Sequence, residues 1–160
     1  MAARPKLDRI DFEILGALQN NARLSNKELA ARVELAPSSC LERVRRLQEK
    51  GALKGFHASI DPRLVGVEVQ ALIAVRIRRH SRRLIEEFHS HASSLQEVVA
   101  IYHVAGANDF LIHVAVRDTE QLRDLVLDSF ATRTEIEHME TSLIFGYEQK
   151  WTLPDYSQSD

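Results

Sequence analysis

The sequence predicts an α+β protein of two domains, for two reasons. In the first third of the chain apolar residues recur at helical spacing, whereas much of the remainder alternates apolar and polar residues as β-strands do. The charge divides at the same place: residues 1–60 hold 11 basic and 7 acidic residues, a net +4, and the rest hold 10 and 16, a net −6. We therefore predict domains at 1–60 and 67–160, with a linker at 61–66.

The composition excludes several classes of protein. At 160 residues with 44% hydrophobic content, the chain can bury one ordinary core or two small ones. No apolar run approaches the roughly 20 residues of a membrane span, and acidic residues interrupt the amino end where a secretory signal would be apolar. We expect a cytoplasmic protein without a membrane partner. The single cysteine, Cys40, excludes an internal disulfide.

The first domain is predicted to contain three helices. The first follows Asp8 as its N-cap and carries an apolar stripe of Leu7, Ile10, Ile14, Leu15 and Leu18. Ser25 and Glu28 form a capping box that begins the second. The third has Pro37 at its first position and Gly51 just past its end. The short turn between the last two predicts a helix-turn-helix.

The third helix has two different faces when it is projected at about 100° per residue. We expect the apolar face to pack on the other helices; it comprises Cys40, Leu41, Val44 and Leu47. We expect the polar face in solvent; it comprises Ser38, Ser39, Glu42, Arg43 and Arg46. Small hydroxyl residues allow close approach to a DNA groove, arginine binds phosphate or guanine, and a glutamate can accept from a cytosine amino group. This face therefore suits the major groove.

A solvated helix would also explain that face, because Glu42 and Arg46 have the i to i+4 spacing of an ordinary surface ion pair. Residues 52–60 predict a short extended segment, either the wing of a winged helix or the strand leading out of it. Lys54 and His57 in this segment can each touch backbone phosphate or be ordinary surface residues, and for His57 we favour the surface.

The second domain is predicted to have the order βαββαβ. The evidence is an alternating segment at 67–77, a helix with Leu84, Ile85 and Phe88, strands EVVAIYHVA and FLIHVAV around GAND, a helix capped by Asp118, and a last strand at 136–147. This is the ferredoxin-like order, an antiparallel sheet with both helices on one side. The other side, which includes Leu72 and Ala74, lacks a cover, so we expect a homodimer at least.

No motif for a metal site or for catalysis stands out. The histidines of this domain are spread over a helix and over strands that are not all neighbours: His89, His91, His103, His113 and His138. The serines and the cysteine of the third helix have no histidine nearby, and the chain has no GxSxG or phosphate-binding glycine loop. We predict no enzyme, no metal and no cofactor.

Several short motifs then follow one another in a characteristic order. They are LDxxDxxIL from Leu7, SxxELA from Ser25, VRRLxxxG from Val44, then GF, DP, GxxDF from Gly106, and Thr141-Ser142. With these motifs, nearly the whole chain resembles the Lrp/AsnC (feast/famine) family of transcription regulators. The resemblance implies a winged helix-turn-helix that binds double-stranded operator DNA, followed by a sensing domain. It also implies dimers that assemble into tetramers or octamers.

The resemblance further implies a small-molecule effector, an amino acid or a related metabolite, bound between sensing domains. The positions carried over are Gly106, Ala107, Asn108 and Asp109, with Thr141 contributed by a partner. A glycine turn can present N–H groups to an α-carboxylate and Asp109 can meet an α-ammonium group. The same four residues also make a sound hairpin turn.

Two positions depart from the family pattern. Ala36 stands where many members have a serine or threonine that caps the third helix, so DNA binding is expected to be weaker or more selective. Met139 stands where a hydroxyl residue is common, which favours a more apolar effector or none. Two other functions stay open from the sequence: an architectural protein that wraps DNA without an effector, and an enzyme built as a dimeric ferredoxin-like barrel.

Overall fold

The chain forms two units, seen here in a computed structural model that describes residues 6–78 and 81–154. The first unit contains residues 6–58 and 148–154, and the second contains residues 59–147. The change of unit near residue 58 lies beside the linker predicted from the sequence. There the chain forms a 3₁₀ turn, Pro62–Val65, which Asp61 caps by accepting from the Arg63 amide.

The tail after the last strand differs from the prediction, which placed it in the second domain. Residues 148–154 group with the first unit. The Leu153 amide donates to Oε1 of Gln19 on the first helix over 2.7 Å. Trp151 and Leu153 stand two residues apart, as residues on one face of a strand do, so nothing in the sequence distinguishes this tail from an extension of the sheet.

Local capping fixes the first two helices, α1 (Arg9–Asn20) and α2 (Asn26–Arg32). Asp8 caps α1 and Ser25 caps α2, and each forms a complete capping box with the residue three positions later. Both helix starts are therefore where the sequence predicted them.

The third helix, α3, spans Pro37–Glu49 and begins with its proline as predicted. Gly51 follows with a φ of 68°, a left-handed conformation that glycine adopts without a steric penalty. The three helices enclose a small core of Ile14, Ala17, Leu18, Leu29, Ala30, Val33, Cys40 and Leu47. Residues 52–60 form no strand, so the predicted extended segment is irregular. A strand requires a ladder partner, and this segment has none among the described residues.

The second unit has the predicted βαββαβ order. Its elements are β1 (Val69–Ile77), α4 (Arg82–Ser94), β2 (Val98–His103), β3 (Phe110–Val116), α5 (Thr119–Leu125) with a π-helical extension (Val126–Ala131), and β4 (Ile136–Leu143). The strands lie in the order β2-β3-β1-β4, and every neighbouring pair is antiparallel.

Strict alternation in β1 and β3 separates the two faces of this sheet. The residues of one face are fully or almost fully buried under α4 and α5, and Phe88, Phe110 and Phe130 pack together at the centre. The opposite face has no such cover within the described residues. It carries Leu72, Ala74, Ala100, Tyr102, Leu111, His113 and Ala115, all of them half-buried or exposed.

Among the described residues, no helix is long and apolar enough to cross a membrane. Within the same residues, no three His, Cys, Asp or Glu side chains gather in a way that could hold a metal ion.

Candidate functional site

The outer surface of α3 is polar and accessible. Four exposed residues recur at the spacing i, i+4, i+7 and i+11 and form one ridge along the helix, which we call the α3 ridge: Ser38, Glu42, Arg45 and Glu49. An open depression of about 460 Å³ lies on this side of the helix, lined by Ser39, Glu42, Arg43, Arg45, Arg46 and Glu49. Arg45 is not among the residues that the helical projection predicts for this surface.

Arg43 and Arg46 are not free in solvent, contrary to the prediction for the polar face. Nη1 of Arg43 donates to Oδ2 of Asp8 over 2.7 Å and to Oδ1 of Asp11 over 2.8 Å. Nη2 of Arg46 donates to both Asp11 oxygens, over 2.9 and 3.0 Å. The two arginines therefore turn back toward the start of α1 and bind it to α3.

Asp11 is the centre of this cluster, and its side chain is only 1% exposed. A carboxylate buried to this extent requires cationic partners, which Arg43 and Arg46 supply. Asp8 is more exposed, and hydrogen bonding to Arg43 holds its pKa below the usual value. The same ion pair raises the pKa of Arg43.

The predicted apolar face of α3 is correct for Cys40, Val44 and Leu47 but not for Leu41. Leu41, assigned to the apolar face, is 39% exposed, while the core side of the helix is formed by Cys40 and Leu47. On the neighbouring side of the helix, Arg43 and Arg46 donate to the buried Asp11. Burial raises the pKa of the Cys40 thiol, so it is an inert core residue.

The turn before α3 lacks the side-chain cap that a hydroxyl residue would give. Ala36 holds the N-cap position. Nδ2 of Asn26, at the start of α2, donates to the Pro37 carbonyl over 2.7 Å and joins the two helices instead. Ser38, Ser39 and Lys54 are exposed, as the prediction requires for residues that reach a ligand outside the domain.

The loop between β2 and β3 is the second candidate site. Gly106 has a φ of 137°, which favours glycine, and Gly106 and Ala107 are exposed, whereas Asn108 is half-buried. Asp109 is only 8% exposed, and its Oδ2 accepts from the Ile77 amide over 2.7 Å. One oxygen of this carboxylate is therefore engaged at the end of β1, and the contact of Asp109 with an α-ammonium group stays a prediction.

Thr141 is not brought beside this loop within one chain. It lies exposed on β4, opposite Ile73 of β1, and β1 stands between β4 and β3. Met139, two residues earlier, packs on the core of the unit. A second copy would have to supply Thr141, as the resemblance implies.

An open cavity of about 480 Å³ lies where α4 passes the ends of β2 and β3. It is lined by Arg82, Ile85, Glu86, His89, His103 and Phe110. The His103 ring stacks on the Phe110 ring with centroids 4.9 Å apart, which gives the cavity an aromatic wall. Nε of Arg82 pairs with Glu86 over 2.7 Å, so one cation and one anion stand together at its rim. Apart from Phe110 in GxxDF, no sequence motif marked these residues, because they come from three elements.

His113 is the most enclosed titratable group of the uncovered sheet face. One of its ring nitrogens, Nε2, lies 2.8 Å from Oε1 of Gln70, and the Tyr147 ring meets it edge-on at 5.8 Å. Burial lowers the pKa of His113, which favours the neutral ring.

Two family models match the chain in the same order as its units. A winged helix-turn-helix DNA-binding model matches residues 7–54, and an Lrp/AsnC ligand binding domain model matches residues 70–148. The chain is 45% identical over 141 residues to the HTH-type transcriptional regulator AldR of Mycolicibacterium smegmatis, covering 88% of this chain and 82% of that protein. It is 36% identical over 120 residues to the leucine-responsive regulatory protein of Escherichia coli K12, covering 75% and 73%.

Solved structures show the same likeness. A transcriptional regulator of Neisseria meningitidis in complex with L-methionine superposes with a TM-score of 0.83 at 31% identity, covering 93% of this chain and 97% of that one. AsnC of E. coli superposes with a TM-score of 0.80 at 26% identity, covering 93% and 99%.

Proposed function

The chain belongs to the Lrp/AsnC family of DNA-binding transcriptional regulators, and from this premise we propose that it binds operator DNA sequence-specifically under the control of a small effector. The effector is an amino acid or a related metabolite, bound between sensing domains. The relatives are named as regulators rather than as enzymes.

The exposed polar surface of α3 is the observation on which the DNA-binding part depends. The helix follows a short turn after α2, as the second helix of a helix-turn-helix does when it enters the major groove. Ser38 and Ser39 at its start are small and accessible, and Glu42 can accept from a cytosine amino group. Lys54 is exposed beyond the helix and suits a phosphate contact.

The uncovered sheet face supports self-association. Apolar side chains such as Leu72, Tyr102 and Leu111 lie together there, and a second copy of the same face would remove them from water. A two-fold dimer would present two copies of α3, which match half-sites about 34–36 Å apart. Larger assemblies of such dimers, tetramers or octamers, follow the family pattern.

The cavity beside α4, next to the loop of Gly106–Asp109, is the part of the effector site that we propose one chain supplies, with a second sensing domain closing it. Its volume is sufficient for an amino acid, since small-ligand sites measure about 300–1,000 Å³. Arg82 can pair with an α-carboxylate and Glu86 with an α-ammonium group, while Phe110 and His103 form an apolar wall. The complex of the Neisseria relative contains L-methionine, a ligand of this chemistry.

DNA binding can be tested by enriching bound fragments from genomic DNA and then measuring their affinity for the parent and for Ser39→Glu. Ser39 lies in the first turn of α3, where the helix dipole stabilises a carboxylate, so this variant should keep its fold. The added negative charge should weaken DNA binding by about tenfold or more, because the new carboxylate would be repelled by the DNA phosphates. Thr119→Glu makes the same kind of change in the first turn of α5 and should bind as the parent does. Equal affinities for all three proteins would remove α3 from the DNA interface.

The same measurement distinguishes the architectural function. A wrapping protein would bind random DNA about as tightly as the enriched fragments, whereas a specific regulator prefers the latter by about 10³-fold or more.

The effector is tested by titrating L-amino acids into the protein in a calorimeter. Arg82→Gln should weaken any binding by about tenfold or more, since it removes the carboxylate partner. Arg83→Gln is the matched control, because Arg83 is the neighbouring exposed arginine and pairs with Glu87 instead. An identical titration of Arg82→Gln and the parent would exclude the cavity as the effector site.

A further inference from the structure

The three arginines of α3 stand in two different environments. Arg43 and Arg46 donate to Asp11, whose side chain is 1% exposed, and Arg43 also donates to Asp8. Arg45 is exposed on the α3 ridge and makes no hydrogen bond or ion pair with any described residue. In the sequence, Arg45 and Arg46 are adjacent in VRR and nothing distinguishes them, whereas in the structure only Arg46 of these two pairs with Asp11.

We infer that Arg45 is the arginine of α3 that contacts DNA, and that Arg43 and Arg46 are positioning residues that hold α3 against α1 through Asp11. This inference rests on the proposed DNA-binding function. It assigns a contact that the motifs and the helix projection did not identify.

The three arginines differ in the internal ion pairs that each would break on binding DNA. If Arg43 or Arg46 turned to a phosphate, the buried Asp11 carboxylate would lose a cationic partner that it cannot replace from water. Nε of Arg46 is also buried, with no hydrogen-bond partner among the described residues, so this side of the guanidinium faces the protein even though 42% of the whole side chain is exposed. Arg45 has no partner among residues 6–78 and 81–154 to give up.

The side of α3 on which each residue lies also separates Arg45 from the core. Arg45 shares the α3 ridge with Ser38 and Glu42, whereas Leu47 and Cys40 face the opposite way into the core. Residues with this i, i+4, i+7 spacing point to the same side of a helix, so a groove that receives Ser38 and Glu42 also receives Arg45. Neither Glu42 nor Glu49 pairs with Arg45 in the described structure, so its five donors stay available for guanine or phosphate.

Asp8 and Asp11 serve two purposes at once. Each accepts from the backbone of the other to form the capping box of α1, and each also binds an arginine of α3. The start of α1 and the orientation of α3 are therefore fixed by the same two carboxylates. A change in this cluster should alter how α3 is presented without removing a DNA contact.

The test compares Arg45→Gln, Arg46→Gln, Asp11→Asn and the double variant Asp11→Asn, Arg46→Gln on enriched and random DNA over a range of salt concentrations. Urea unfolding checks that each protein is folded. Arg45→Gln should unfold at the parent's midpoint and bind the enriched fragment about tenfold or more weakly. It should also lose either about one unit of salt slope or its preference at one base pair.

Arg46→Gln should lower both stability and affinity while the salt slope stays at the parent's value, because no phosphate contact is lost. If Arg46 acts through Asp11, the double variant should bind no more weakly than Asp11→Asn alone. Arg46→Lys should restore affinity, since an ammonium group can still pair with Asp11.

Two results would overturn the inference. In the first, Arg45→Gln would have the same affinity, salt slope and base preference as the parent. The other is a further loss of affinity and of salt slope when Arg46→Gln is added to Asp11→Asn. Failure of the parent itself to prefer any enriched fragment would instead overturn the proposed function, and the inference with it.

Discussion

Replacing Asp109 separates a structural role from an effector role at the loop between β2 and β3. The side chain is 8% exposed, and its Oδ2 accepts from the Ile77 amide at the end of β1 over 2.7 Å. A hydrogen bond to a charged acceptor contributes about 1.5–3 kcal/mol, and a buried N–H left without an acceptor costs a similar amount. We therefore expect Asp109→Ala to lower the free energy of unfolding by about 2–3 kcal/mol, or the melting temperature by about 5–10 °C.

Urea unfolding followed by far-ultraviolet circular dichroism measures this loss. Asp109→Asn keeps an acceptor oxygen and should lose only about 1 kcal/mol, because a neutral bond replaces a charged one. Asn108→Ala changes the adjacent side chain of the same loop and serves as the control; it should unfold at the parent's midpoint. If Asp109→Ala unfolded at the parent's midpoint, the structural role would be refuted and a contact with the effector would be favoured.

Three further predictions concern the stability of each unit. Ser25→Ala removes the cap of α2 and should cost about 1 kcal/mol in urea unfolding, whereas Ser90→Ala, in the middle of α4, should cost almost nothing. Phe88→Ala should cost about 3–5 kcal/mol, because this fully buried ring touches two others, and a change much below 2 kcal/mol would mean that the core collapses to fill the space. Since burial lowers the pKa of His113, the unfolded chain binds the proton more readily, so stability should be complete above about pH 6.5 and fall below it. Unfolding of His113→Gln between about pH 7.5 and 5 should show a smaller fall, and an unchanged fall would assign it to other groups.

The parts of the fold that could be predicted are those decided by neighbouring residues. Capping boxes at Asp8 and Ser25 place the starts of two helices, because the hydrogen bonds run between residues three apart. Alternation along β1 and β3 places the sheet and its buried face, because the side-chain period is a property of the strand itself. The βαββαβ order then leaves few arrangements of the sheet.

The parts that could not be predicted depend on residues far apart in the sequence. Residues 52–60 have the composition of a strand, but a strand exists only if another edge receives its hydrogen bonds. The cavity beside α4 combines Arg82, His103 and Phe110 from three elements, so no local pattern marks it. Asp109 looks like a surface turn residue in GAND, whereas the structure shows it buried, with its Oδ2 accepting from the Ile77 amide.

The α3 helix shows how one long-range contact changes a functional assignment. A helical projection treats each face by its polarity, so Arg43, Arg45 and Arg46 differ only by angle. Asp11 lies 32 residues before Arg43 and is read from the sequence as a first-turn acid of α1, which is normally solvated. Because Asp11 is buried, it must be neutralised from the side, and α3 supplies both cations. The polarity of a face therefore indicates that it is hydrated or bound by a ligand, but a buried partner such as Asp11 decides which of its charged residues can bind a ligand from outside.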